Sequence, residues 1–138
     1  EKGYAVIRRT WQPGDTVQLD LPMPVVRLEA HPDVLENRGK IAIQRGPMVY
    51  GLESLDNDGR ALVMLPPDPH LQTEHCPDLL GGVTVVRGRT SDNRPFLAIP
   101  FCALANRGLA MQEVWQYQEG KGEPKEGWKD KLYREFVP

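Results

Sequence analysis

Residues 41–53 read "IAIQRGPMVYGLE". Apolar residues dominate on both sides of an Arg-Gly-Pro insert. Proline brings no amide to a ladder and glycine weakens a strand, so one plain strand does not fit. Ahead of the insert the apolar residues are Ile41 and Ile43, both odd; beyond it they are Met48, Tyr50 and Leu52, all even. Successive strand residues face opposite ways, so this change of parity would turn the core face of a plain strand to water. One extra residue at Arg45-Gly46-Pro47 restores the face. The insert is therefore expected to be a β-bulge or sharp bend where the chain crosses from one sheet edge to another. It reads as an architectural corner, not as a loop that carries chemistry.

The flanks tell the same story. "TVQLDL" sets Val17, Leu19 and Leu21 on one side and Thr16, Gln18 and Asp20 on the other, a half-buried antiparallel strand. It follows "GYAVIRRTW" through the turn "QPGD". "VVRLEA" is expected to face Val26, Leu28 and Ala30 inward and Arg27 and Glu29 outward. "HPDVLENRG" reads as a polar loop with one helical turn, and "DNDG" at residues 56–59 as a turn. Further strands are expected at "ALVML", at about residues 83–86, in "PFLAIPFCALANRG" near an edge or bulge, and at "MQEVWQY"; "DPHLQTEHCPD" reads as irregular. "QEGKGEPKEGWKDK" reads as a charged linker or loose tail, and "LYREF" as a final strand pairing upstream.

No stretch keeps the three-and-four spacing of an amphipathic helix. Thirteen prolines and thirteen glycines punctuate the chain instead. The expectation is an all-β fold with little helix: an antiparallel, jelly-roll-like β-sandwich of about eight or nine short strands. Residues 1–117 form the sandwich domain and residues 118–138 the tail.

The chain has 138 residues and a net charge of −2. That size buries a core without disulfides or metals. A near-neutral chain has no general attraction to nucleic acid or to anionic membranes. Its longest apolar run is far short of the ~20 residues of a spanning helix. The opening "EKGYAVIRRTW" reads like the inside of a domain, so the chain is expected to be part of something larger. Cys76 and Cys102 lack C-x-x-C spacing and are expected to be two buried thiols, with one disulfide as the alternative. The cellular compartment stays open.

The residues carry no defensible active site. Residues 56–59 begin like a calcium loop, but the fifth and sixth positions are Arg60 and Ala61, where a ligand and a glycine are needed. His70, His75 and Cys76 lie close together, yet a structural zinc site needs four ligands, and His31 or Cys102 would have to complete it. Glycoside cleavage needs two facing carboxylates, one with a raised pKa. Asp15, Asp20, Glu29 and Glu53 all read as turn or outward strand positions. Trp11, Trp115 and Trp128 offer flat faces for sugar stacking. Trp11 and Trp115 fit better as core or interface residues, and Trp128 as a contact to a neighbouring domain. Catalytic, cofactor-binding and metal-binding residues are thus expected to be none.

Four motifs in order add a resemblance: residues 3–34, "GYAVIRRTWQPGDTVQLDLPMPVVRLEAHPDV"; residues 39–53, "GKIAIQRGPMVYGLE"; residues 78–88, "DLLGGVTVVRG"; and residues 99–115, "IPFCALANRGLAMQEVW". Together they resemble the C-terminal part of glycoside hydrolase family 127, the β-L-arabinofuranosidase family, over about residues 3–117. The resemblance implies a barrel of paired helices followed by β-sandwich domains. In the barrel a glutamate and cysteines hold a zinc, and one cysteine is the nucleophile. None of those motifs has a match here, so zinc is expected only in a catalytic domain outside this chain. The resemblance implies an accessory sandwich whose partners are that barrel in the same polypeptide and, for dimers, a second copy. A carbohydrate-binding module and a purely oligomerising module are the alternatives.

Overall fold

The computed structural model describes residues 3–122, 128 and 131–137. Among the described residues ten short strands form: β1 (Val25–Ala30), β2 (Lys40–Arg45), β3 (Met48–Glu53), β4 (Met64–Leu65), β5 (Gln72–Cys76), β6 (Val83–Arg89), β7 (Pro95–Pro100), β8 (Gln112–Glu113), β9 (Gln116–Gln118) and β10 (Tyr133–Glu135). Helix among them is confined to single 3₁₀ turns at Leu35–Asn37, Ser54–Asp56 and Phe101–Ala103. The strands run in the order β10-β1-β2-β3-β7-β6-β5, and every neighbour along that path is antiparallel. The chain is all-β, and its antiparallel sandwich takes the form of one curled sheet.

The Arg-Gly-Pro insert is the centre of this sheet, and it is neither a bulge nor a crossing between edges. Arg45 pairs with Met48, Gln44 with Val49 and Ile43 with Tyr50, so β2 and β3 make a hairpin with the two-residue turn Gly46-Pro47. Gly46 has φ +54°. Glycine with positive φ at the first turn position and proline at the second is the sign pattern of a II′ turn, whose twist matches that of the strands. The parity change follows directly. Paired positions across a two-residue turn differ by an odd number, so odd residues of β2 share a face with even residues of β3. The sharp bend is thus present as expected, but as the turn of a hairpin and not as a bulge or a crossing between sheet edges.

Beyond Tyr50 the hairpin strands part. β7 lies along one side of Tyr50, Gly51 and Leu52, and β8 takes the other side at Leu52 and Glu53. β9 pairs with Lys40 and Ile41 at the start of β2, and β4 adds to β9 in parallel. This places Val63 and Leu65 over Ile41, Ile43, Tyr50, Leu52, Val86, Phe96 and Ala98 to make the main core. A smaller core lies on the opposite face, where Val85 and Ile99 meet Ala103. β7 is therefore a central strand covered on both faces, not an edge strand. Its prolines sit at its two ends, where a missing amide costs little.

Three further expectations are corrected. Leu28 and Ala30 are buried as expected, but Arg27 and Glu29 are not turned outward: register puts Arg27 opposite Ile43, so both share the face of the main core, and Glu29 is buried there. Countercharges over the core rim make that burial possible. Gln72–Cys76 is a regular edge strand, not irregular chain: it pairs with β6 through its backbone while most of its side chains stay exposed. Residues 16–21 form no strand; Val17, Leu19 and Leu21 are exposed.

At the other end, β10 pairs with β1, Leu28 facing Glu135 and Ala30 facing Tyr133. Lys121 is not loose: its ammonium is buried. Much of the segment expected as a linker, residues 123–127 and 129–130, lies outside the described residues.

Candidate functional site

Two of the four carboxylates read as solvent-facing are in fact buried. Glu53 closes β3, and Asp56 lies three residues on in the following 3₁₀ turn. The Arg107 guanidinium, from the loop between β7 and β8, donates to both carboxylates, and the Ala105 amide also donates to Glu53. Hydrogen bonds to Asp56, and then to Glu53, outweigh burial and hold Arg107 even further above neutrality than a free arginine. One guanidinium thus ties the end of β3 to a distant loop.

Glu29 is the second cluster. Lys121 donates to one carboxylate oxygen at 2.9 Å and Arg134 to the other at 2.8 Å. Burial pushes the Glu29 carboxyl up, but these hydrogen bonds and the two positive charges prevail and hold it below its usual value. A glycosidase general acid needs the opposite shift. Asp15 accepts from Arg9 and from the Gln12 amide, each at 2.9 Å, within the expected turn. Asp20 stays on the exposed segment.

The histidines and cysteines are dispersed. His70 bonds Gln72 at 2.7 Å, His75 lies on β5, and His31 meets the Trp128 ring edge-on at 5.1 Å. Cys76 is half-buried and Cys102 exposed, both as free thiols, so neither the buried pair nor the disulfide describes them. Cys102 is exposed because it sits on the 3₁₀ turn that ends β7, where Ala103 rather than Cys102 faces the small core. Among the described residues no three metal-ligating side chains converge, so these residues do not fit a zinc ion. Residues 56–59 form the expected turn, with the Gly59 amide donating to the Ser54 carbonyl at 3.0 Å.

Three buried amide side chains escaped the reading of the sequence. Asn57 donates to the carbonyls of Glu53 and Leu97, and its own oxygen accepts from the Leu97 amide at 2.8 Å. It acts as a short length of strand beside β7. Gln116 accepts from the Val63 amide and donates to the carbonyls of Ala61 and Glu113. Gln118 donates to the Pro67 carbonyl at 2.7 Å. In "WQYQ" the glutamines occupy every second position and so share a face, but that this polar face and not the aromatic one is buried is visible only in the structure. Nothing in "DNDG" marks Asn57 as buried.

Aromatic residues mark the surface. Trp115 is half-buried and lines an apolar groove of about 580 Å³ with Val49, Phe101, Leu104, Gln112 and Glu113. Trp11 is exposed rather than in a core, with the Arg9 guanidinium 5.1 Å from its ring. Its segment joins no sheet, so no apolar layer covers it. Trp128 packs under Arg134 at 4.2 Å.

Comparison with known proteins places this β domain in a family. The family model for the glycoside hydrolase family 127 C-terminal domain matches residues 25–117, beginning where β1 begins. Among solved structures, a family 127 β-L-arabinofuranosidase from Geobacillus stearothermophilus T6 is 45% identical over 86% of this chain, with a TM-score of 0.73. A protein described only as a glycoside hydrolase is 30% identical over 81%, with a TM-score of 0.70. A second family 127 β-arabinofuranosidase is 26% identical over 70%, with a TM-score of 0.63. The chain spans 22%, 22% and 17% of the lengths of these three proteins, respectively. Among curated proteins none matches the chain. With the family model covering most of the sheet, the chain belongs to glycoside hydrolase family 127, as its C-terminal domain.

Proposed function

We propose that this chain is an accessory domain without chemistry of its own, buttressing the catalytic part of a longer β-L-arabinofuranosidase-like polypeptide. The observation that carries the reading is the match of residues 25–117 to the C-terminal domain of a hydrolase family whose solved members are several times longer. The carboxylates support it. Glu53 and Asp56 share one guanidinium, and Glu29 is held ionised by two cations, the opposite of what a general acid needs. Zinc belongs, on this reading, to the catalytic part.

The test is sugar release. The isolated chain should liberate no L-arabinose from a β-L-arabinofuranosyl substrate that the full-length polypeptide cleaves. Turnover by the isolated chain contradicts the reading. Carbohydrate binding is the second reading, because Phe101 and Trp115 line the same groove. It requires calorimetric heat with arabino-oligosaccharides at millimolar concentration, lost in Trp115→Ala.

A further inference from the structure

The segment that precedes β1 is built like two strands but joins no sheet among the described residues. Val6, Ile7 and Trp11 lie on its first arm and Val17, Leu19 and Leu21 on its second, and all six are exposed, Leu19 to 76%. The second arm alternates apolar and polar residues without a break, the pattern of a strand with one covered face. Yet no strand includes any of residues 5–22. Six exposed large apolar side chains on so short a stretch are unusual for a surface that meets only water.

The connection between the arms is nevertheless in place. Pro13 and Gly14 form the turn, Gly14 has φ +92°, and the Asp15 amide donates to the Gln12 carbonyl at 3.0 Å. Proline followed by a positive-φ glycine is the signature of a type II turn. The Asp15 carboxylate reinforces it by accepting from the Gln12 amide and from Arg9. The bend is thus set before any partner is met. At its far end the segment is anchored: Met23 packs against Gly46 at the tip of the central hairpin, and its sulfur lies 3.8 Å from an Arg45 nitrogen.

We infer that residues 4–21 are a β-hairpin lent to a sheet outside this domain, in the remainder of the same longer polypeptide. The partner it fits is an antiparallel sheet with a free edge and an apolar face, which would pair with the arms and cover Val17, Leu19 and Leu21. Three observations favour that occupant over a second copy. The match to the family's C-terminal domain starts at Val25, leaving the hairpin outside it. The likeness to the Geobacillus stearothermophilus enzyme covers 86% of the chain, more than residues 25–117 amount to, and that enzyme is several times longer. A sheet in the same polypeptide also meets the hairpin at an effective concentration on the order of millimolar, which a separate molecule does not.

The inference rests on the reading of the chain as one domain of a longer hydrolase, but its test is independent of activity. Amide hydrogen exchange is followed for residues 16–21 in the isolated chain and in the full-length polypeptide. The expected result is unprotected exchange in the isolated chain and slowing on the order of 100-fold or more in the full-length protein. Unprotected exchange in the full-length protein overturns the inference. So does protection in the isolated chain that rises with its concentration, the mark of pairing between copies. As a second measurement, Val17→Asp with Leu19→Asp should lower the melting temperature of the full-length protein and leave that of the isolated chain unchanged. A lower melting temperature in the isolated chain would place the hairpin within its own domain. Protection in the full-length protein together with sugar release by the isolated chain would sustain this inference while overturning the accessory reading.

Discussion

Gly46 carries the central turn because its φ of +54° is one that a side chain adopts only under strain. A Cβ there would also lie 2.7 Å from the terminal carbon of Met23. Methionine is flexible and can move aside, so the backbone strain decides the cost. Gly46→Ala should destabilise the isolated chain by about 1–2 kcal/mol, measured by urea unfolding. Unchanged stability would mean that the turn is of another type. Glu29 makes the pH-dependent counterpart. Folding lowers its pKa, so the folded state holds that proton less readily than the unfolded chain does. The stabilisation is complete above the ordinary glutamate range and is lost as pH falls through the lower folded-state value. Glu29→Gln strands the buried Lys121 ammonium and should cost roughly 3 kcal/mol at neutral pH. The variant should also lose less further stability than the parent chain between about pH 5 and pH 2. An identical acid-unfolding curve for the two would remove Glu29 from the account.

At the scale of elements, strands with one apolar face were legible and strands held by other means were not. β2 and β3 announced themselves by parity, down to the residues at which the face changes. β5 did not, because an edge strand pairs through its backbone and exposed polar side chains protect it from further pairing. The burial of Glu29 in β1 was hidden for a different reason. Arg27 and Glu29 read as outward, and only the return of Lys121 and β10 from far along the chain neutralises Glu29 at the core rim. The amide clips were equally hidden, since Asn57 and Leu97 are forty residues apart. Asn57 links the 3₁₀ turn after β3 to β7, so Asn57→Ala leaves several buried backbone groups without partners. It should cost about 2–3 kcal/mol in chemical unfolding. Loss of protection should centre on the amides of residues 53–60 and 95–100. A cost near zero would show that water replaces the clip.

Across the whole molecule, the fold class was readable from short apolar runs between turns and the family from four motifs in order, whereas the place of the first two dozen residues was not. Their alternation is genuine strand pattern, and reading it as part of this sandwich assumed that its sheet lies in the same chain. The surroundings of two carboxylates were also misread: Glu29 and Glu53 are not turned to solvent but buried, and each is paired with cations. What remains is a curled sheet stapled by ion clusters and amide clips, a construction suited to holding a neighbour in place. The most direct measurement is the melting temperature of the catalytic part, followed by residual arabinofuranosidase activity, in the full-length polypeptide and in one lacking this domain. The account predicts that removing the domain lowers that temperature by several degrees or more, while this chain alone releases no sugar. A catalytic part that melts at the same temperature without the domain would contradict it.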